Sequence, residues 1–136
     1  MTTVPSDLKQ DIFDKIATHL LTQNAKAVEV VGNVEKCRYR TTDGKQCAVG
    51  CLMSKEDYDP EFEDKCVSHL VYISNWIPDI CGARFVRDQG EELVQYLDFF
   101  RKIHDDNPPE IWLFCLEQLA YYLNLSKTVL EKFQQE

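Results

Sequence analysis

A chain of 136 residues, 44% hydrophobic and 11% aromatic, is long enough to bury one core and too apolar to stay disordered. Its formal charge of −8 argues against direct binding to a nucleic-acid backbone and suits either plain solubility or a protein partner with a basic surface. No apolar run approaches the ~18–20 residues of a membrane span, and Met1–Asp7 lacks a basic start with an apolar stretch. The six cysteines are therefore expected to be reduced, in a cytoplasmic protein that does not bind membranes.

Ser6 is a predicted N-cap, Asp7 follows in the first turn, and Leu8, Ile12, Phe13, Ile16, Ala17, Leu20 and Leu21 recur at helical spacing. That predicts an amphipathic helix ending near Gln23-Asn24. Ala27–Val31 is short and β-branched, a predicted strand that Gly32-Asn33 breaks. In Lys36–Thr41 the chain alternates, with Cys37, Tyr39 and Thr41 on one face and Arg38 and Arg40 on the other. Asp43-Gly44 is a strong hairpin-turn signal, and Gln46–Gly50 reads as the returning strand. A two-stranded hairpin alone is marginal, so Ala27–Val31 is the natural third strand.

Ser54-x-x-Asp57 resembles a capping box, and Asp59-Pro60 places an N-cap before a proline, predicting short helical turns within Lys55–Lys65. Val67–Ile73 has no clear period, and Trp76–Ile80 reads as a loop that tucks aromatics inward. Leu93, Tyr96, Leu97, Phe100, Ile103 and His104 mark a helix from Gly90 to the Asp105–Pro109 break. Asn107 is the predicted cap of the next helix, with Pro108 at its first position. That helix carries Ile111, Cys115, Leu119 and Leu123, flanked by Trp112, Leu116 and Ala120. Ser126 caps a last short helix to Phe133. With no linker, repeat or low-complexity tract, the expectation over 1–136 is a single α+β domain: four to five helices around a small antiparallel hairpin or three-stranded sheet.

Three constellations are able to carry chemistry. Cys47 and Cys51 have a spacing tolerated for zinc, with Cys37, Cys66 and His69 as further donors; the plainer alternative makes the cysteines small buried hydrophobes. Cys47 with His104 and Asp105 is a candidate nucleophile, base and orienting carboxylate; the alternative makes His104 a core or capping residue, and His19 a surface one. Glu56, Asp57, Glu61 and Glu63 crowd around Tyr58 and Phe62, with Asp59 and Asp64 among them. This stretch lacks the glycine of a calcium loop, and is either a solvated face or a docking surface for a basic partner. Arg38 and Arg40 are an anion clamp or, as favoured, partners of that acidic stretch. Phosphate-binding glycine loops, the G-x-S-x-G elbow and the H-E-x-x-H helix are all missing, so no cofactor is expected.

The string Cys37-x-Tyr39-Arg40-x-x-x-Gly44-x-x-Cys47-Ala48-x-Gly50-x-Leu52 continues with Tyr58-x-Pro60-x-x-Glu63 and His104-Asp105 before Trp112. From Ile12 to Leu125 the chain resembles a group of small, functionally uncharacterised proteins of tailed bacteriophages and their bacterial hosts. Those proteins often carry a small residue where Cys51 stands and a glycine where Asp64 stands, leaving Cys37 and Cys47 as the matching thiols. The resemblance implies an origin rather than a mechanism. It implies a non-enzymatic accessory protein of the host-cell cytoplasm that occupies a host or phage protein, such as defence or nucleic-acid machinery, through the Glu56–Asp64 face. The alternatives are a cysteine-dependent hydrolase or transferase using Cys47, and a structural zinc module.

Overall fold

The computed structural model describes residues 3–134. Helix α1 (Ser6–Gln23) buries Leu8, Ile12, Phe13, Ile16, Ala17 and Leu20, the stripe its periodicity predicts. Its cap differs from expectation. Pro5 holds the cap position, Ser6 is already helical, and no side chain caps the helix. Arg84 instead bonds Asp7 and Asp11 at 3.0 and 2.8 Å, tying a later loop to the first turns. The helix closes on Asn24 in the left-handed conformation, which asparagine tolerates better than most residues.

The hairpin forms, but one turn earlier than predicted. Strands β1 (Val28–Val31) and β2 (Val34–Cys37) pair antiparallel, with Val31 opposite Val34 across Gly32-Asn33 and Val28 opposite Cys37. The segment that breaks the strand is thus the turn itself, with Gly32 at φ 66°. The later turn also exists, and Thr41 N–H donates to Lys45 O at 2.9 Å, but around it only the single bridge Arg40–Gln46 forms. The reason lies in the returning arm. Cys47, Ala48 and Val49 are all buried in succession, whereas a strand turns every second side chain to the opposite face. The chain leaves extended geometry at Val49 and winds into a 3-10 turn over Gly50–Leu52. No third strand joins β1 and β2 among the described residues.

Asp59 accepts from Glu61 N–H and opens a 3-10 turn at Pro60–Phe62, as its sequence predicts. The unassigned stretch yields helix α2 (Val67–Tyr72), followed by 3-10 turns at Asp79–Arg84 and Arg87–Gln89, with Trp76 buried in the intervening loop. Helix α3 (Gly90–Asp106) buries Leu93, Tyr96, Leu97, Phe100, Ile103 and His104. Asn107 ends α3 rather than starting the next helix, its side-chain amide donating to Ile103 O at 3.3 Å. Pro109 keeps Pro108 out of helical geometry, so a 3-10 turn (Pro109–Ile111) precedes helix α4 (Trp112–Leu123). The buried face of α4 is Trp112, Leu116 and Ala120; Ile111 is exposed, and Cys115, Leu119 and Leu123 form the half-buried rim. Ser126 Oγ accepts from Thr128 N–H ahead of a last 3-10 turn, Thr128–Phe133. Among the described residues, four α-helices and a two-stranded antiparallel sheet make an α+β fold around one continuous core. No helix among the described residues is long and apolar enough to cross a membrane.

Gly50 is where the fold tolerates no side chain, because a Cβ there would stand 1.9 Å from Tyr39 O. Gly44 has φ 93° but open space around it. In urea unfolding, Gly50→Ala is expected to lose more than about 3 kcal/mol or to fail to fold. Gly44→Ala is expected to lose about 1 kcal/mol, from backbone strain alone.

Candidate functional site

The chain between β2 and α2 has little secondary structure, and one carboxylate organises it. Glu63 is buried and accepts from Tyr39 N–H (3.0 Å), Arg40 N–H (3.2 Å) and the Tyr58 hydroxyl (2.6 Å). Arg38 Nε stands 3.5 Å from Glu63 and 3.4 Å from Glu29. Arg40 donates to Met53 O and lies over the Tyr58 ring, 5.3 Å from its centre. Arg38 therefore pairs inside the molecule with Glu63 of the acidic stretch and with Glu29, a partner the sequence did not indicate, whereas the Arg40 guanidinium takes a carbonyl and a ring rather than a carboxylate. Glu63, expected on the acidic face, is turned into the molecule; of its neighbours, Glu56, Asp59 and Glu61 are exposed, while Asp57, Tyr58 and Phe62 are half-buried.

A second junction joins β2 to α3. His104 is fully buried, stacks on Trp112 with ring centres 5.4 Å apart, and accepts Ala27 N–H at Nε2 (2.9 Å). With the lone pair on Nε2, the proton sits on Nδ1 and is donated to Asp105 Oδ1 at 2.6 Å. Asp105 also lies within 4.8 Å of the Cys37 sulfur and 3.3 Å from Arg101. Burial works to raise the Asp105 carboxyl, but the bond from His104, the Cys37 thiol and the nearby Arg101 outweigh it and hold it below the usual range. The ligand atoms of Cys37, His104 and Asp105 all lie within 4.8 Å of one another.

Beside this junction opens a cleft of about 390 Å³, walled by Cys37, Tyr39 and Cys47, by residues 63–68, and by Val94, Asp98, Arg101 and Asp105 of α3. Three thiols line it in different states. Burial pushes the Cys37 thiol up to about 11, helped by the Asp105 carboxylate. Burial also drives Cys47 far up, and its sulfur accepts Gly50 N–H at 3.3 Å. Cys66 is exposed, and its hydrogen bond with Ser68, with amide donors nearby, draws its thiol below the ordinary range.

The sequence-predicted groupings resolve accordingly. Cys47, Cys51, Cys66 and His69 are not a converging set among the described residues. Cys51 is instead pushed up to about 12 by burial, and its thiol donates to Ala48 O. His104 and Asp105 do face each other, but the thiol brought to them is Cys37. The imidazole has both nitrogens engaged, which leaves it no lone pair to offer Cys47. His19 is half-buried rather than a surface residue; its Nε2 bonds Gln46 O at 2.7 Å, and burial lowers its basicity.

Comparison of the chain with protein-family models, with curated proteins and with solved structures finds no match in any of the three.

Glu63→Ala would strand two backbone amides and Arg38, and is expected to cost about 3–5 kcal/mol in chemical unfolding. With a disulfide reagent at neutral pH, Cys66 is expected to label first and Cys37 more slowly despite its exposure. Cys47 should label only on unfolding, and Cys66→Ser should remove the fast phase.

Proposed function

We propose that this chain is a small acidic accessory protein of the bacteriophage type that works by binding a host or phage protein, with no chemistry of its own. The observation that carries the proposal is the state of the acidic loop. Glu56, Asp57, Asp59 and Glu61 form no salt bridge among the described residues, although nine lysine or arginine pairs with carboxylates occur elsewhere among them. Their loop is held in place from beneath by Glu63 and capped by Ser54 and Asp59. Unpaired carboxylates on a fixed loop, beside the half-buried rings of Tyr58 and Phe62, suit a partner with a basic rim around an apolar contact. Defence proteins and nucleic-acid machinery of the host supply such surfaces.

The phage-type assignment draws support from where the motif residues work. Gly50 packs on Tyr39 O, Glu63 gathers Tyr39, Arg40 and Tyr58, and His104 stacks on Trp112. The string describes a scaffold, which suits a group of proteins alike in fold rather than in a reaction. Asp64, where the resembling proteins carry glycine, has φ 69°, a conformation glycine adopts without strain. Against a cysteine hydrolase stand the buried, protonated Cys47 and the committed ring of His104.

Capture of partners from bacterial lysate, followed by titration of the purified captured protein, tests the proposal. Binding is expected to fall at least about tenfold in Glu56→Lys/Glu61→Lys, to weaken with added salt, and to survive Asp64→Gly. Capture of nothing, or of a protein whose affinity ignores the double reversal, would overturn it. Asp64→Gly is separately expected to raise stability by about 1 kcal/mol.

A further inference from the structure

We propose that the outward face of α4 is a self-association surface, on which a second copy of this chain docks through its own α4, antiparallel and related by a two-fold axis. Apart from Glu117 and Gln118, every side chain of α4 is apolar or aromatic, and a helix apolar all round is normally covered on all sides. The core takes only one side, that of Trp112, Leu116 and Ala120. The helical repeat puts Phe114, Gln118, Tyr121 and Tyr122 on the opposite side, with exposed Ile111 one turn ahead of them at the end of the preceding 3-10 turn. Phe114 is 61% exposed, Tyr121 80% and Tyr122 88%.

Area and charge both select a second copy as the occupant. Ile111 and the three aromatic side chains leave about 500 Å² open to water, so a symmetric pair buries about 1,000 Å², the threshold of a specific and reversible interface. Two chains of formal charge −8 repel each other, and they meet most easily where neither presents charge. Between Ile111 and Leu125 the only charged residue is Glu117, which is half-buried and accepts from Gln134 Nε2 at 2.9 Å. A basic partner finds no carboxylate on this face, which sets it apart from the acidic loop. The spacing also fits a two-fold axis. Phe114 and Tyr122 stand four residues to either side of Gln118, and Cys115 and Tyr121 stand three. In an antiparallel pair Phe114 therefore faces the second copy's Tyr122, and Gln118 meets its own counterpart, an amide that both donates and accepts. That order sets the N-terminus of each α4 beside the C-terminus of the other, the favourable arrangement of helix dipoles.

Sedimentation equilibrium of the full-length reduced chain provides the test. A reversible monomer–dimer equilibrium is expected at about 10–100 μM chain, tightening as salt screens the like charges, which is the opposite sign to binding through the acidic loop. Phe114→Glu and Tyr122→Glu, both at exposed positions, are expected to weaken the dimer at least about tenfold while far-ultraviolet circular dichroism stays unchanged. In a Cys66→Ser background, mixing Phe114→Cys with Tyr122→Cys should give a mixed disulfide dimer on mild oxidation, in preference to Phe114→Cys with itself. A chain that stays monomeric to about 1 mM, or a dimer equally stable in both glutamate variants, would overturn the proposal. So would cross-linking of Phe114→Cys with itself as readily as in the mixture, or attachment of a monomer through this face to phosphatidylcholine vesicles.

Discussion

The buried carboxylate of Glu63 is the contact on which the non-helical part of this protein depends. A segment with one isolated bridge and short 3-10 turns has many backbone groups that no ladder satisfies, and buried amides must find partners. Glu63 supplies them for Tyr39 and Arg40, and at the same time fixes Tyr58 and faces Arg38. Desolvating a carboxylate is costly, and only this density of donors offsets it. Because the segment over residues 39–63 is gathered on one side chain, the exposed acids of the loop are held in a fixed arrangement.

His104 does for the helices what Glu63 does for the loops. It faces inward from the last turn of α3, stacks on the first residue of α4, and takes the Ala27 amide at the entrance to β1. Three elements distant in sequence meet at one ring whose tautomer is set by that amide. Cys37 reaches the same point from the end of β2, which places a thiol and a carboxylate on the cleft wall. The cleft thus follows from the way the hairpin is anchored, and its chemistry is that of the anchoring residues.

The long helices were legible in the sequence because burial there follows a local period, and α1 and α3 bury the residues their spacing indicates. The buried face of α4 is not legible locally. Ile111, Cys115, Leu119 and Leu123 and the core residues Trp112, Leu116 and Ala120 lie on adjacent stripes, and the positions of α1 and α3, which both pack against α4, choose between them. The hairpin was placed on the wrong turn, since both Gly32-Asn33 and Asp43-Gly44 bend the chain well and local chemistry does not rank them. Of the candidate site, the pairing of Arg38 with an acid of the 56–64 stretch was readable from charge. The inward turn of Glu63 was not, because nothing distinguishes it locally from Glu61.

By itself the sequence determined the α+β class, the extent of α1 and α3, both sharp turns, and the acidic loop with its caps, all of which depend on neighbours a few residues apart. Tertiary structure alone decided that Glu63 is an internal anchor, that His104 is committed to Ala27, and that Cys37 rather than Cys47 meets Asp105. Each of these joins residues 24 to 77 positions apart, as the bonds from Tyr39 to Glu63 and from Ala27 to His104 mark out. Such contacts arise from which surfaces the core brings together, and a side chain's periodicity and its immediate neighbours carry no record of that.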